Sequence, residues 1–236
     1  MTLPSDELMD SLFFLSWWML VLLTIIILIL RIIFVFKTIQ RHRASLKNRP
    51  CRSSSSVPIK TLVVLGSGGH TTEMLALIKD LDAQVYSPLI YMVANTDDTS
   101  ERRVAVTVGS RVDEIVYLPR SREVGQSYVT SVVTTLWSFA VALYLVARVR
   151  PNLLLCNGPG TCLPVAIATL VYRILGICEG NIVFVESFCR VTSFSLTGRL
   201  LYPLADMFVV HWEELKALYP KCHTVSTFVP NKTKRT

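Results

Sequence analysis

Gly66-Ser67-Gly68-Gly69-His70 stands directly after the apolar, β-branched run Lys60–Leu65 and directly before Thr71-Thr72-Glu73-Met74-Leu75-Ala76-Leu77-Ile78. Glycines at such a place remove side chains where the backbone turns into a helix. Successive N–H groups can then approach a phosphate, and the helix N-terminus favours its negative charge. A diphosphate suits this turn. The run departs from the dinucleotide fingerprint GxGxxG, because Thr71 stands at the third glycine position, and it lacks the lysine of a P-loop. A glycine turn needed only for tight helix–strand packing would read the same way. His70, at the mouth of the turn, can take a proton from a sugar hydroxyl as neutral imidazole or pair with phosphate as imidazolium. Capping or packing is its structural alternative. Glu73 reads as charge support for the helix N-terminus.

A second loop, Asn157-Gly158-Pro159-Gly160-Thr161, follows another apolar run, with Pro159 holding its shape and the glycines allowing close backbone approach. Two glycine turns on adjoining strand ends would build one anion site from Gly66, Ser67, Gly68, Gly69, Asn157, Gly158, Gly160 and Thr161. Glu186 ends the run IVFVE, where a carboxylate needs a partner or an open cleft to stay ionised. With Arg190 it makes an ordinary ion pair; in a cleft it would bind sugar hydroxyls or orient His70. The 6 cysteines form no CxxC pair and have no histidines at zinc spacing, and no acidic metal cluster stands out, so neither metal nor cofactor is expected. The thiols read as reduced, cytosolic and mostly buried.

These turns need strands and helices to carry them. Besides Lys60–Leu65, the strand candidates are Leu89–Ala94, Glu114–Leu118, Leu153–Cys156, Asn181–Glu186 and Met207–Val210, each apolar on both faces and separated by helix-length stretches. Continuous apolarity suits a parallel sheet covered on both sides, and the alternation predicts a doubly wound, Rossmann-like α/β layer with ligands at the carboxyl ends of the strands. Two helices are unusually apolar: Tyr128–Ala147, without a charge, and Leu163–Ile177, broken only by Arg173. The former is long enough to cross a bilayer. A crossing would put later strands on the far side of the membrane from Leu62–Leu65, so a buried or membrane-surface helix is the preferred reading.

A hydrophobic fraction of 51% and a mean hydropathy of +0.47 exceed what a water-soluble domain needs. The excess begins with Leu12–Leu30, LFFLSWWMLVLLTIIILIL, which covers nearly the ~30 Å hydrocarbon core at ~1.5 Å per residue. Arg31 can snorkel and extend the span. Asp6, Glu7 and Asp10 precede it, whereas Arg31, Lys37, Arg41, Arg43, Lys47, Arg49 and Arg52 follow, so the positive-inside rule places everything downstream in the cytosol. A cleaved signal peptide would need a basic start and a shorter apolar core ahead of small residues. The expected division is a luminal segment 1–11, a transmembrane anchor 12–36, a basic, Ser-rich cytosolic linker 37–59 and one domain 60–236. More than half of the net charge of +7 lies in residues 1–59 beside the span, which suits anionic headgroups and argues against nucleic acid as a partner.

GSGGHTTEM at 66–74, SREVGQSY at 121–128, LLLCNGPGTCLP at 153–164 and VFVESFCRVTSFSLTGRLLYPLAD at 183–206 together resemble the asparagine-linked glycosylation protein fourteen family. Its members are the membrane-anchor subunits of the UDP-N-acetylglucosamine transferase acting on dolichol diphosphate N-acetylglucosamine. The resemblance implies the acceptor-side half of a GT-B glycosyltransferase that is no enzyme on its own and recruits a soluble catalytic subunit to the endoplasmic reticulum membrane. It implies the second step of dolichol-linked oligosaccharide synthesis, in N-glycosylation, by an inverting and metal-free reaction. It also implies that the glycine turn and His70 face the acceptor diphosphate, with His70 and Glu186 as the catalytic candidates within the complex. Ser187 and Phe188 depart from the amide residues that follow the acidic residue in bacterial half-domains, and the tail from Cys222 departs from the short apolar strand that usually closes the family. The contrasting reading is a self-sufficient, membrane-tethered nucleotide-binding enzyme using the same first turn.

Overall fold

The computed structural model describes residues 4–46, 57–79, 81–108, 112–121, 125–158 and 160–225. Runs that are apolar on both faces settle as strands between two layers of helix. Among the described residues these strands are β1 (Thr61–Val64), β2 (Leu89–Ala94), β3 (Glu114–Leu118), β4 (Leu153–Asn157), β5 (Asn181–Val185), β6 (Met207–Val210) and β7 (His223–Thr224). They form one sheet in the order β3-β2-β1-β4-β5-β6-β7, and every neighbouring pair is parallel. This is the doubly wound order, with its switch point between β1 and β4, where Val64 lies level with Cys156. Six strands fall where the sequence predicts them, to within a residue at either end. The two-residue β7 is too short to show a period.

Side chains alternate across the sheet into two cores. Leu62, Val64, Met92, Leu154, Phe184 and Phe208 point to one face, against α4 (Tyr128–Val149) and α5 (Cys162–Ile174). Val63, Leu65, Tyr91 and Val93 point to the other, against Met74, Leu75 and Ile78 of α2 (Gly69–Ile78) and Val104 of α3 (Asp98–Val108). The short helices α6 (Leu196–Leu201) and α7 (Glu213–Leu218) flank β6.

Helix α4 links β3 to β4 within this one parallel sheet, so it is a crossover helix, as the single-compartment argument requires. Ser127 caps its start by accepting from the Thr130 N–H at 3.2 Å. Ala142, Val146 and Val149 pack on the sheet, while Ser138 donates to the Pro119 carbonyl (2.9 Å) and Thr134 to that of Ser121 (2.7 Å), fastening the incoming loop. Its remaining face, Val129, Val133, Leu136, Trp137 and Tyr144, is exposed and apolar.

Helix α1 (Pro4–Leu46) is continuous, and here the structure departs from the expected division: residues 37–46, assigned to a linker, are helical. Side chains such as Phe13, Trp17, Leu22 and Ile26 are exposed, whereas Val35 and Ile39 are buried in the sheet domain's core. Basic residues that read as linker charge are used for docking. Arg31, rather than snorkelling, donates from Nε to the Ile174 carbonyl (2.9 Å) and from Nη2 to that of Arg173 (3.1 Å), meeting the exposed carbonyls at the C-terminus of α5. Arg43 Nε donates to the Ala205 carbonyl at 2.8 Å. His42 Nδ1 lies 3.1 Å from Asp206 Oδ1, and Asp206 Oδ2 accepts from Arg173 Nη1 (2.6 Å) and the Ile182 N–H (2.9 Å). The serine run 53–56, Pro159 and the tail 226–236 lie outside the described residues.

Candidate functional site

The first glycine turn leaves the carboxyl end of β1 at the switch point. Its carbonyls are held from behind. Thr71 is buried and donates its hydroxyl to the Gly66 carbonyl, against which the Ser100 hydroxyl also rests at 3.2 Å. Ser100 in turn donates to Asp97 Oδ2 (2.6 Å), and its N–H reaches Asp97 Oδ1 (3.1 Å), which caps α3. Thr71 thus serves as a hydroxyl anchor at the position a dinucleotide fingerprint fills with glycine. Arg103 on α3 donates from Nη1 to the Gly68 carbonyl (2.8 Å) and Thr72 Oγ1 (2.9 Å), bringing a guanidinium to the turn.

Outward, the turn is open. A Cβ added at Gly68, Gly69 or Gly160 would meet no atom within 4 Å, and Ser67 is exposed. Gly68 has φ 65°, a left-handed conformation that favours glycine. The second loop closes on the first, because Gly158 also has a left-handed φ of 61° and a Cβ there would lie 2.7 Å from the His70 ring. Gly66 through His70 and Asn157 through Thr161 therefore meet at adjoining strand ends, save Pro159, which lies outside the described residues. The Thr161 side chain makes no capping bond to α5.

His70 Nδ1 lies 3.3 Å from Asn157 Oδ1 and 3.7 Å from Glu73 Oε2. Asn157 Nδ2 donates to Glu73 Oε2 (3.1 Å), and Ser187 Oγ donates to Glu73 Oε1 (3.3 Å). Glu73 is not in the first turn of α2, so its expected role at the helix N-terminus gives way to a bridge between α2, β4 and the loop after β5. Glu186 goes the other way. It is fully buried and accepts from the N–H groups of Ser187 and Ser195 (each 3.0 Å) and from the Ser195 hydroxyl (3.1 Å). A Cβ at Gly198 would collide with its carboxylate. Its partners are the Ser187 N–H and the Ser195 cap of α6, rather than Arg190 or His70.

Sequence reasoning passed over His211, the residue after β6. Its Nε2 is buried and has no hydrogen-bond partner among the described residues, and its ring meets Phe188 edge-on at 5.5 Å between centroids. Burial pushes its pKa down, against the pull of the Glu73 and Glu186 carboxylates. A polar residue ending an apolar strand was the signal that marked Glu186, and it applies equally to His211. Burial also pushes the thiols of Cys178 and Cys222 up, to about 11 and about 12. No group of three or more His, Cys, Asp or Glu side chains among the described residues is placed to hold a metal ion.

Residues 61–228 match the family described as "Oligosaccharide biosynthesis protein Alg14 like". The human UDP-N-acetylglucosamine transferase subunit ALG14 is 45% identical over 173 residues, covering 69% of this chain and 80% of the relative. The subunit of the same name from Yarrowia lipolytica is 37% identical over 202 residues, covering 84% and 91%. Among solved structures, a UDP-N-acetylglucosamine 2-epimerase superposes with a TM-score of 0.52 at 13% identity, over 70% of this chain and 43% of the epimerase. The match spans less than half of that enzyme. It shows the fold alone, one Rossmann-like half of a GT-B architecture.

Proposed function

The chain belongs to the Alg14 family, and from that premise we propose that it is the membrane-anchoring, acceptor-side subunit of a UDP-N-acetylglucosamine transferase. The observation that carries the reading is the pair of glycine turns at the switch point, open outward at Gly68, Gly69 and Gly160 around His70. Backbone N–H groups at the start of α2 and the Arg103 guanidinium supply the donors and positive charge that a lipid diphosphate needs. Ser67, Asn157, Gly158 and Thr161 complete the wall. The acceptor is dolichol diphosphate N-acetylglucosamine, and a separate soluble subunit brings the UDP-N-acetylglucosamine half of the cleft.

In the transfer, the acceptor sugar hydroxyl loses its proton to His70 Nε2 while its oxygen bonds to the donor's anomeric carbon. The bond from that carbon to the UDP oxygen breaks, with inversion and without metal or cofactor. Glu186 supports the site indirectly, by holding the start of α6 beside the β5 end. Helix α1 crosses the endoplasmic reticulum membrane with its N-terminus luminal, and the exposed face of α4 rests at the lipid surface on the cytosolic side. Asn231-Lys232-Thr233 is a glycosylation sequon that stays bare in this orientation, and a glycan there in microsomes would overturn it.

The deciding assay supplies UDP-N-acetylglucosamine and a short isoprenyl diphosphate N-acetylglucosamine to the full chain alone, then with its soluble partner. Transfer is expected only from the pair. Robust transfer by the chain alone would favour the self-sufficient enzyme.

A further inference from the structure

A neutral histidine that accepts a proton at Nε2 carries its own proton on Nδ1, and whatever holds that proton sets the tautomer. For His70 the holder is traceable through three groups. A carboxylate oxygen only accepts hydrogen bonds, so the Asn157 amide must turn its NH₂ toward Glu73 Oε2, 3.1 Å away. That turns the amide oxygen to His70 Nδ1 at 3.3 Å. An amide oxygen also only accepts, so Nδ1 must be the protonated nitrogen, and Nε2 keeps its lone pair. Asn157 is fully buried, which denies its amide a competing partner in solvent. Glu73 is itself held by Ser187 Oγ, at 3.3 Å from its other oxygen.

We propose that Glu73 is a positioning residue for the transfer: through Asn157 it fixes His70 in the Nδ1–H tautomer and leaves Nε2 free to take the acceptor hydroxyl's proton. Glu73 Oε2 also lies 3.7 Å from Nδ1, on the same side of the ring as the amide oxygen. The other titratable or charged groups near the cluster are His211 and Glu186, which interact with each other on the β6 side, and Arg103, fastened to the glycine turn. None of the three is hydrogen-bonded to His70 among the described residues. This inference rests on the reading of His70 as the base.

The test uses the full chain with its soluble partner, UDP-N-acetylglucosamine and the short isoprenyl diphosphate acceptor, in three variants. His70→Ala tests the parent reading and identifies the His70 signal among the 4 histidines in ¹⁵N spectra of histidine-labelled chain. Glu73→Leu removes the relay. It is expected to lower kcat ~10–100-fold with little change in acceptor KM, and to shift the His70 nitrogens from the Nδ1–H toward the Nε2–H signature. Glu73→Gln can keep both contacts, its oxygen on the Asn157 NH₂ and its own NH₂ on Ser187 Oγ, so it should preserve the Nδ1–H signature and retain most of kcat. If His70→Ala costs little, the base reading falls and the relay with it. If His70→Ala costs ~10²–10⁴-fold but Glu73→Leu leaves the tautomer or kcat as it was, the relay alone is overturned. Should Glu73→Leu fail to fold, an Nε2–H signature for His70 in the unaltered chain overturns it equally.

Discussion

Asp206 and His211 stand at opposite ends of β6, with four strand residues between them, and their surroundings are opposite too. Asp206 is 4% exposed and makes three contacts from three elements: His42 on α1, Arg173 on α5 and the Ile182 N–H on β5. His211 keeps a buried ring nitrogen without a partner among the described residues, beside a cluster whose His70 and Glu73 remain 33% and 20% exposed. The strands' amino edge fastens helix α1. Their carboxyl edge retains open backbone and polar side chains, the arrangement that lets a doubly wound sheet bind ligands there. One layer of strands thus separates the demand for a fixed attachment from the demand for an accessible site.

The comparison predicts different failures at the two edges. At the carboxyl edge, His70→Ala should lower transfer by the reconstituted pair ~10²–10⁴-fold without weakening partner recruitment, measured by initial rates and co-purification. A loss under ~10-fold would reduce His70 to a phosphate contact or packing group. At the amino edge, Asp206→Ala leaves Arg173 buried without its carboxylate and should destabilise the fold by about 3–5 kcal/mol, seen in thermal unfolding of the chain in detergent. Its transfer rate per folded molecule should change far less than in His70→Ala.

Gly69→Val sharpens the contrast further. Space above Gly69 is open and no left-handed φ strains the substitution there, unlike at Gly68, so the added side chain should obstruct only an approaching ligand. Transfer should fall at least ~10-fold while the unfolding midpoint stays nearly fixed; unchanged transfer would remove the diphosphate from this turn. A chain beginning at Arg31 keeps the docked part of α1 yet loses the apolar part, and it should still associate with liposomes through α4. Leu136→Glu with Trp137→Glu should release it, each substitution giving up roughly 1.5–3 kcal/mol of apolar burial. Full solubility of the truncated chain before those changes would refute the membrane-facing role of α4.

The smallest expected effect is on pH. Burial lowers the pKa of His211 and of His223, so the unfolded chain binds protons that the folded chain refuses. Stability should hold above the ordinary imidazole value of 6.5 and decline as pH falls below it, a slope that denaturation at pH 5 and pH 7 would detect. His211→Phe should flatten part of that slope.

Strands and the glycine turns were legible because both are local: apolar runs mark strands buried on two faces, and paired glycines mark a backbone needing room. The cluster behind them was not. Glu73 reads as helix charge until β4 lies against α2 and brings Asn157 to it, a contact between residues far apart in sequence. Glu186 was visible as a polar end to an apolar strand, but which way its carboxylate turns depends on the N–H groups of the α6 cap, and those come from tertiary folding. Residues 37–46 were misjudged for a similar reason. Their basic side chains suggest solvent, and only the Ala205 carbonyl, just ahead of β6, gives Arg43 another destination, as the end of α5 does for the preceding Arg31.

Helix α1 runs without a break from its exposed apolar stretch, proposed to lie in the membrane, into its docked stretch. An α-helix turns about 100° per residue, so the two stretches share a single angular phase. A flexible tether would keep the cleft close to the bilayer but let it face any direction; an unbroken rod fixes its compass bearing. One alanine inserted between Leu30 and Arg31 would swing the sheet and its open edge by about 100° around the rod while lifting it only about 1.5 Å. Four inserted residues would return it to within about 40° of its original heading, about 6 Å higher. Access to a lipid-borne acceptor would then rise and fall with the helical repeat, and the anchor would set the direction in which the cleft looks as well as its distance from the membrane.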